Sequence, residues 1–259
     1  MKKLYKPIGL FAIMLFSFYY TEKIAIIMQN KSPIMQSINE VEEDYVVNPV
    51  NATVDEKYVV PGIMGRMVNK TKSYVNMKAF GIFNEYYLIF DNIKPDISLE
   101  DNKDKIINSG NKTKKAVAFL LEDGNDSIKN YLKENRIKAD LLIKEATYEN
   151  SNYFEQINND SEKYKNVESL LNKNNQNKNI CYIKEIDVEY CKKEQKYLIE
   201  ETFALGSNNI VEAKGKIDSG AIILIKKNAN LEHFKLLLKE INFKGLNIVL
   251  LSELISENK

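Results

Sequence analysis

Ala116-Val117-Ala118-Phe119-Leu120-Leu121-Glu122-Asp123-Gly124 is an apolar run of strand length that ends on two acids and a glycine. After Lys114 the sequence alternates between strand-like and helix-like segments, the pattern of parallel strands joined by crossovers. Strands are expected over 116–121, 139–143, 180–184, 197–199, 221–225 and 246–250. Helices fit between them over 127–135, 163–174, 187–194 and 231–241. In the last of these Leu231, Phe234, Leu237, Leu238 and Ile241 share one face, as core packing requires.

The quoted run resembles the first strand of the polysaccharide deacetylase (NodB-homology) family, an apolar strand ending in Thr-Phe-Asp-Asp-Gly. Glu122 stands at the first aspartate and Asp123 at the second. Ile137-Lys-Ala-Asp-Leu-Leu-Ile143 is similar to the family's second strand, Val-Lys-Ala-Thr-Phe-Phe-Val. Gly220-Ala-Ile-Ile-Leu-Ile225 resembles the Gly-Ser-Ile-Ile-Leu strand, and Gly245-Leu-Asn-Ile-Val-Leu-Leu-Ser-Glu-Leu254 the closing Gly-Tyr-x-x-Val-Thr-Leu-Ser-Glu-Leu. Four fragments in the right order cover Lys114 to Glu257. The fold they imply is α/β, an irregular, incomplete parallel (β/α) barrel of the polysaccharide deacetylase type.

The resemblance also implies a chemistry. In the family one aspartate activates water, while a second aspartate and a His-x-x-x-His pair hold a divalent metal, zinc, and a further histidine protonates the leaving amine. On that pattern Glu122 and Asp123 are the residual catalytic pair, Glu122 the base and Asp123 the metal ligand, at the C-terminal end of a barrel strand. The competing reading of the two is an ordinary strand-ending Asp-Gly turn. The chain has one histidine, His233, on the last long helix, and none between Lys144 and Asn177 where the metal pair belongs. Lys226 occupies the place of the acid histidine, and an ammonium is a poor proton donor on demand at neutral pH. Glu149, Glu155, Asp160 and Glu162 lie in the relevant stretch and are the carboxylates available for an oxygen-only magnesium or calcium site. Tyr148, Tyr153 and Phe154 either stack on sugar rings or pack. No resident cofactor is expected; a divalent metal belongs only to the enzyme reading.

Before Lys114 the sequence is of a different kind. Lys2, Lys3 and Lys6 precede an apolar run from Ile8 to Tyr20, and a second apolar patch spans Ile24 to Met28. The first patch alone is about 13 residues against the ~20 that a bilayer requires, and no Ala-x-Ala-like cleavage site follows it. Residues 1–30 are therefore read as an uncleaved signal anchor. Ile34, Met35, Ile38 and Val41 at helical spacing extend it as a stalk over 31–49, ended by Pro49. A small α+β module is expected over 50–113, with a strand around 58–60, a Pro61-Gly62 turn, a helix over 72–80 closed by Gly81, and a strand over 86–90. The deacetylase-like domain follows over 114–259.

Lys+Arg at 37 against Asp+Glu at 36 gives no global field for nucleic acid, and none is expected as a partner. Cys181 and Cys191 match neither Cys-x-x-Cys nor a zinc knuckle; they are either one extracellular disulfide or two buried thiols. By the positive-inside rule the N-terminus is cytoplasmic and the remainder lies outside a bacterial cell membrane, single-pass. Three functions compete. The first is a catalytically degenerate deacetylase-like envelope protein, a pseudoenzyme, that binds a cell-wall glycan or an envelope partner. The second is an active carbohydrate N-deacetylase with an atypical metal site, and the third a membrane-anchored structural or assembly factor.

Overall fold

The computed structural model describes residues 5–149 and 153–258; Lys2 and Lys3 lie outside them. The N-terminal part comprises helices α1 (Tyr5–Asn30) and α2 (Pro33–Val41), strands β1 (Thr53–Val54), β2 (Val59–Val60) and β3 (Gly65–Val68), helix α3 (Lys70–Lys78) and strand β4 (Phe90–Ile93). Next come β5 (Ile106–Ile107), β6 (Ala116–Glu122), α4 (Asp126–Glu134), β7 (Asp140–Ile143), β8 (Glu155–Asn158), α5 (Tyr164–Lys173), β9 (Ile180–Tyr182) and α6 (Val188–Lys193). The chain continues through β10 (Tyr197–Ile199), β11 (Phe203–Leu205), α7 (Ile210–Lys216), β12 (Ile222–Ile225), α8 (Leu231–Phe243), β13 (Asn247–Val249) and α9 (Leu251–Ile255).

Two compact units share these elements. The first takes the described residues up to Asn48 together with Gly65–Ile93; the second takes Pro49–Met64 and the chain from Lys94 onward. Residues 50–113 thus contribute to both.

In the first unit, the span Phe11–Asn30 is long and apolar enough to cross a membrane, and none of it is buried against the chain. Helix α2 packs on α3 through a cluster of Met35, Ile38, Val68, Met77 and Leu88. Strands β3 and β4 pair antiparallel, Gly65 opposite Ile93 and Val68 opposite Phe90. The expected strand at 86–90 is corrected. The Asn84 side chain accepts from the Tyr86 amide and turns Glu85–Tyr87 into a 3-10 helix, so the strand starts only at Phe90.

The second unit is built around β6, which is buried along its length because sheet and helices cover both faces. Its residues alternate between two cores. Val117, Phe119 and Leu121 meet the outer helices with Ile128, Phe234, Leu237 and Ile241. Ala116, Ala118 and Leu120 point inward with Leu142, Ile157, Ile222, Leu224 and, from α9, Leu251 and Leu254. Along one edge of β6 runs β12; along the other run β13 beside Ala116–Ala118 and β7 beside Leu120–Glu122, all parallel. Strands β6 to β12 follow barrel order in two hydrogen-bonded sheets, β11-β12-β6-β7-β8 and β5-β10-β9. Among the described residues no ladder joins β8 to β9 or β10 to β11. This is the incomplete parallel α/β barrel expected from the sequence. Gly220 is the glycine the turn requires: its φ is +89°, its carbonyl accepts from the Gly110 amide, and a Cβ there would lie 2.3 Å from the Gly110 carbonyl oxygen.

Cys181 on β9 and Cys191 on α6 form a disulfide, which closes one of the two readings of these residues. It joins positions ten apart in sequence within a buried cluster that includes Tyr164, Ile186 and Leu198. By loop-closure entropy, Cys181→Ser with Cys191→Ser is expected to lower stability by about 2.5–3 kcal/mol. A urea titration of the full chain in mild detergent checks this; a reducing agent should shift the parent chain by the same amount and leave the double variant unchanged.

Candidate functional site

The strand ends that carry Glu122 and Asp123 are fastened from two directions. Strand β6 delivers Glu122, Asp123-Gly124 turns the chain with Gly124 at φ +90°, and the buried Asn125 caps α4 by accepting from the Ile128 amide. The Glu122 carboxylate accepts a hydrogen bond from the Lys227 amide at 2.8 Å. Asn125 Nδ2 donates to the carbonyls of Lys226 at 3.2 Å and Ala229 at 3.0 Å. The loop after β12, where the family's acid histidine sits, is thereby tied to the Glu-Asp-Gly loop by side-chain-to-backbone bonds. Asp123 is exposed on the turn and makes none of these bonds.

Beside this junction the β11–α7 loop folds on itself. Asn209 accepts from the Gly206 amide at 2.8 Å and donates to the Ala204 carbonyl at 2.8 Å, while the Lys226 amide donates to Leu205. Gly206, Ser207, Asn208, Asn209, Lys226 and Asn228 line a shallow depression of about 310 Å³. Lys226 is exposed, so its ammonium stands in water at the rim.

Three groups at neighbouring strand ends were not foreseen from the sequence. Tyr182, ending β9, donates its hydroxyl to Glu201 at 2.8 Å. Burial pushes this phenol far above its ordinary range, reinforced by the bond to Glu201 and by the negative charges of Glu122 and Glu185. Glu200, just after β10, is held below the usual carboxylate range, first by the Lys184 ammonium at 2.8 Å. It also accepts from the Tyr58 hydroxyl at 3.1 Å. Their signal lay in position alone, at the C-terminal ends of β9 and β10.

The donor set does not fit the family's metal. His233 lies in the first turn of α8, half-buried, with its Nδ1 buried and without a partner. Both cysteines are in the disulfide. The stretch where the histidine pair belongs holds β8 and the loop leaving it, and the carboxylates there do not converge. Glu149 pairs with Lys129, and Glu155 lies at the opposite end of β8, paired with Lys178 at 3.0 Å. Asp160 accepts from the amides of Glu145 and Lys163, which hold its carboxyl below the ordinary range. Glu162 is exposed. Among the described residues no three His, Cys, Asp or Glu side chains come together to hold an ion. Of the aromatic residues, Phe154 is buried edge-on against Tyr153 at 4.6 Å, Tyr153 donates to the Leu132 carbonyl, and Tyr148 to Gln176. They pack.

No family model matches the chain. The uncharacterized protein YlxY of Bacillus subtilis (strain 168) is 32% identical over 120 residues, 44% of this chain and 38% of that protein. The match spans well under two thirds of that relative's length. Among solved structures, wild-type BA3943, described as a CE4 family pseudoenzyme from Bacillus anthracis, has a TM-score of 0.59 at 21% identity. It covers 87% of this chain and 96% of its own. The chain has the polysaccharide deacetylase fold. A BA3943 mutant described as having restored enzymatic activity matches with a TM-score of 0.58 at 20% identity, over 87% of this chain and 99% of its own. The deacetylase fold expected from four short fragments is thus met by this chain as a divergent example, with Glu122 and Asp123 at the end of its central strand.

Proposed function

We propose that this chain is a catalytically degenerate, deacetylase-like protein of the bacterial cell envelope whose strand-end depression binds a cell-wall glycan. One observation carries the reading. The carboxylate at the family's base position, Glu122, is engaged by the Lys227 amide, and that same loop presents Lys226 in place of an imidazole. The base position is thus tied into the loop through one of its oxygens, and the loop offers no imidazole to act as the partner acid that such a mechanism uses. What remains is an amide- and hydroxyl-rich surface of Ser207, Asn208, Asn209 and Asn228, the donors and acceptors that match sugar hydroxyls. Glu122 and Asp123 are then remnants of a site and not its working parts.

The N-terminal helix supports a single-pass membrane anchor with a cytoplasmic N-terminus, since lysines flank it on that side. A disulfide suits the oxidising outer side of a membrane, which supports an extracellular second unit.

The test is acetate release from N-acetylglucosamine oligomers by the full chain in detergent, loaded with zinc, cobalt or magnesium. We expect no release above the metal-only blank, and retention of the chain on purified wall glycan that weakens in Asn208→Ala and Asn228→Ala. Metal-dependent acetate release abolished in both Glu122→Ala and Asp123→Ala would overturn the proposal in favour of an active N-deacetylase.

A further inference from the structure

We propose that the loop between α3 and the 3-10 turn at Glu85–Tyr87 dips into the lipid interface of the bilayer that α1 spans. The inference rests on the membrane-anchored reading above and adds a second contact between the first unit and the lipid.

Only Lys31 and Ser32 separate α1 from α2, so α2 starts within about 10 Å of the end of the span. The first unit is held at the bilayer face by this tether. Helix α3 returns toward that face. Lys70, at the start of α3, pairs with Glu42, just past the end of α2, at 2.6 Å, and Met77 near the end of α3 shares a cluster with Met35 near the start of α2. Two nine-residue helices, each about 13 Å long, thus run in opposite senses, and the end of α3 comes back beside the start of α2.

The chain there is apolar and uncovered. Phe80, Ile82 and Tyr86 are 58%, 62% and 95% exposed. The Phe80 ring stacks on Tyr87 at 4.9 Å, nearly parallel, so it is presented in a fixed orientation and does not collapse onto the core. Exposed Lys78 flanks the tip. Aromatic and aliphatic tips beside a lysine are the composition of a membrane–water interface, where rings sit at headgroup depth and the ammonium reaches the phosphates. A solvent-facing stretch gains nothing from three large apolar side chains in seven residues, Phe80 to Tyr86.

The chain has no tryptophan, so single substitutions report cleanly. Four variants of the full chain are placed one per phosphatidylcholine nanodisc, with and without lipids brominated high on the acyl chain. They are Phe80→Trp, Tyr86→Trp, Leu15→Trp within α1, and Met67→Trp, half-exposed on β3 beside the start of α3. Interfacial segments sit roughly 5–10 Å into the headgroup boundary, so Phe80→Trp and Tyr86→Trp are expected to lose about half of their emission to bromine. Leu15→Trp should be quenched at least as strongly and Met67→Trp not at all. Quenching at Leu15→Trp with Phe80→Trp and Tyr86→Trp as bright as Met67→Trp would overturn the loop contact while the anchor stands. An unquenched Leu15→Trp would overturn the anchor and the loop contact with it. A blue-shifted, unquenched Phe80→Trp that reddens on dilution outside nanodiscs would assign the loop to a second copy of the chain and also overturn the proposal.

Discussion

Lys196→Met is expected to lower the unfolding free energy by roughly 3–5 kcal/mol, the range for breaking one side of a buried ion pair. Lys196 follows α6 and is 4% exposed, and its ammonium contacts Glu168 on α5. The same carboxylate accepts from Asn158 Nδ2 at 2.9 Å, at the end of β8, and from Asn177 Nδ2 at 2.8 Å. The Lys196 ammonium also lies 5.5 Å from the centre of the Tyr164 ring. One carboxylate therefore joins a strand end, a helix and two loops, and methionine leaves it charged and desolvated with only neutral donors. Adding Glu168→Gln removes that charge and keeps an oxygen for the two asparagines. The double variant should recover about half of the loss, a coupling within the 0.5–3 kcal/mol usual for touching residues. Urea titration followed by circular dichroism checks both, and a loss under about 1 kcal/mol for Lys196→Met would mean the pair contributes little beyond its desolvation.

The elements legible in the sequence were those whose side chains carry the hydrophobic period. The strands at β6, β7, β10 and β12 and the helices α4, α5, α6 and α8 lie where apolar runs and stripes placed them. Strand β8 escaped because it is polar: Glu155-Gln-Ile-Asn158 has one aliphatic residue. Its buried Gln156 and Asn158 are satisfied by bonds a pattern does not show, to the Glu149 carbonyl and to the Tyr164 carbonyl and Glu168. Strand β11 escaped because three residues, Phe203–Leu205, are too short to show a period. Helix α9 was hidden inside the closing strand pattern, whose second half turns into a helix that plugs the barrel with Leu251 and Leu254.

The site was legible in a different way. Glu122 and Asp123 could be placed at the end of a strand from nine residues of sequence, because a strand that stops on acid-Gly leaves its last side chains at one end of the sheet. That Glu122 is held by the Lys227 amide could not be read, since the two are 105 residues apart and a backbone amide leaves no trace in sequence. Tyr182, Glu200 and Glu201 were invisible for the same reason. They become neighbours only when β9 and β10 align in register, Tyr182 opposite Ile199.

Asp140→Asn is expected to stabilise the chain at neutral pH and to flatten its stability profile above pH ~4. Asp140 opens β7 with no exposed surface and lies in register opposite Glu155 on β8. One of its oxygens accepts from the Leu251 amide at 2.8 Å. The other, Oδ1, and Glu155 Oε2 are both buried without a donor. Glu155 Oε1 is satisfied by Lys178 at 3.0 Å and Ser252 at 2.9 Å. With Glu155 Oε1 already paired, a proton on Asp140 Oδ1 shared with Glu155 Oε2 satisfies both orphans. Burial, and then the charges of Glu155 and Glu253, push the Asp140 carboxyl well above its ordinary value, which is the state such sharing requires. The sign follows. Between the ordinary carboxyl pKa near 3.8 and the raised folded value, the native chain holds a proton that the unfolded chain has lost. Stability from this site is present below the unfolded pKa and declines as pH rises, by at most about 1.4 kcal/mol per pH unit. An asparagine carries permanently what the protonated acid carries conditionally: an oxygen for the Leu251 amide and an N–H for Glu155. Asp140→Ala supplies neither and should lie roughly 3 kcal/mol below Asp140→Asn at any pH, by leaving the amide and the Glu155 oxygen unpaired. Urea midpoints of the three chains between pH 4 and 8 separate the cases, and an Asp140→Asn chain that tracks Asp140→Ala would show that the two carboxyls share no proton.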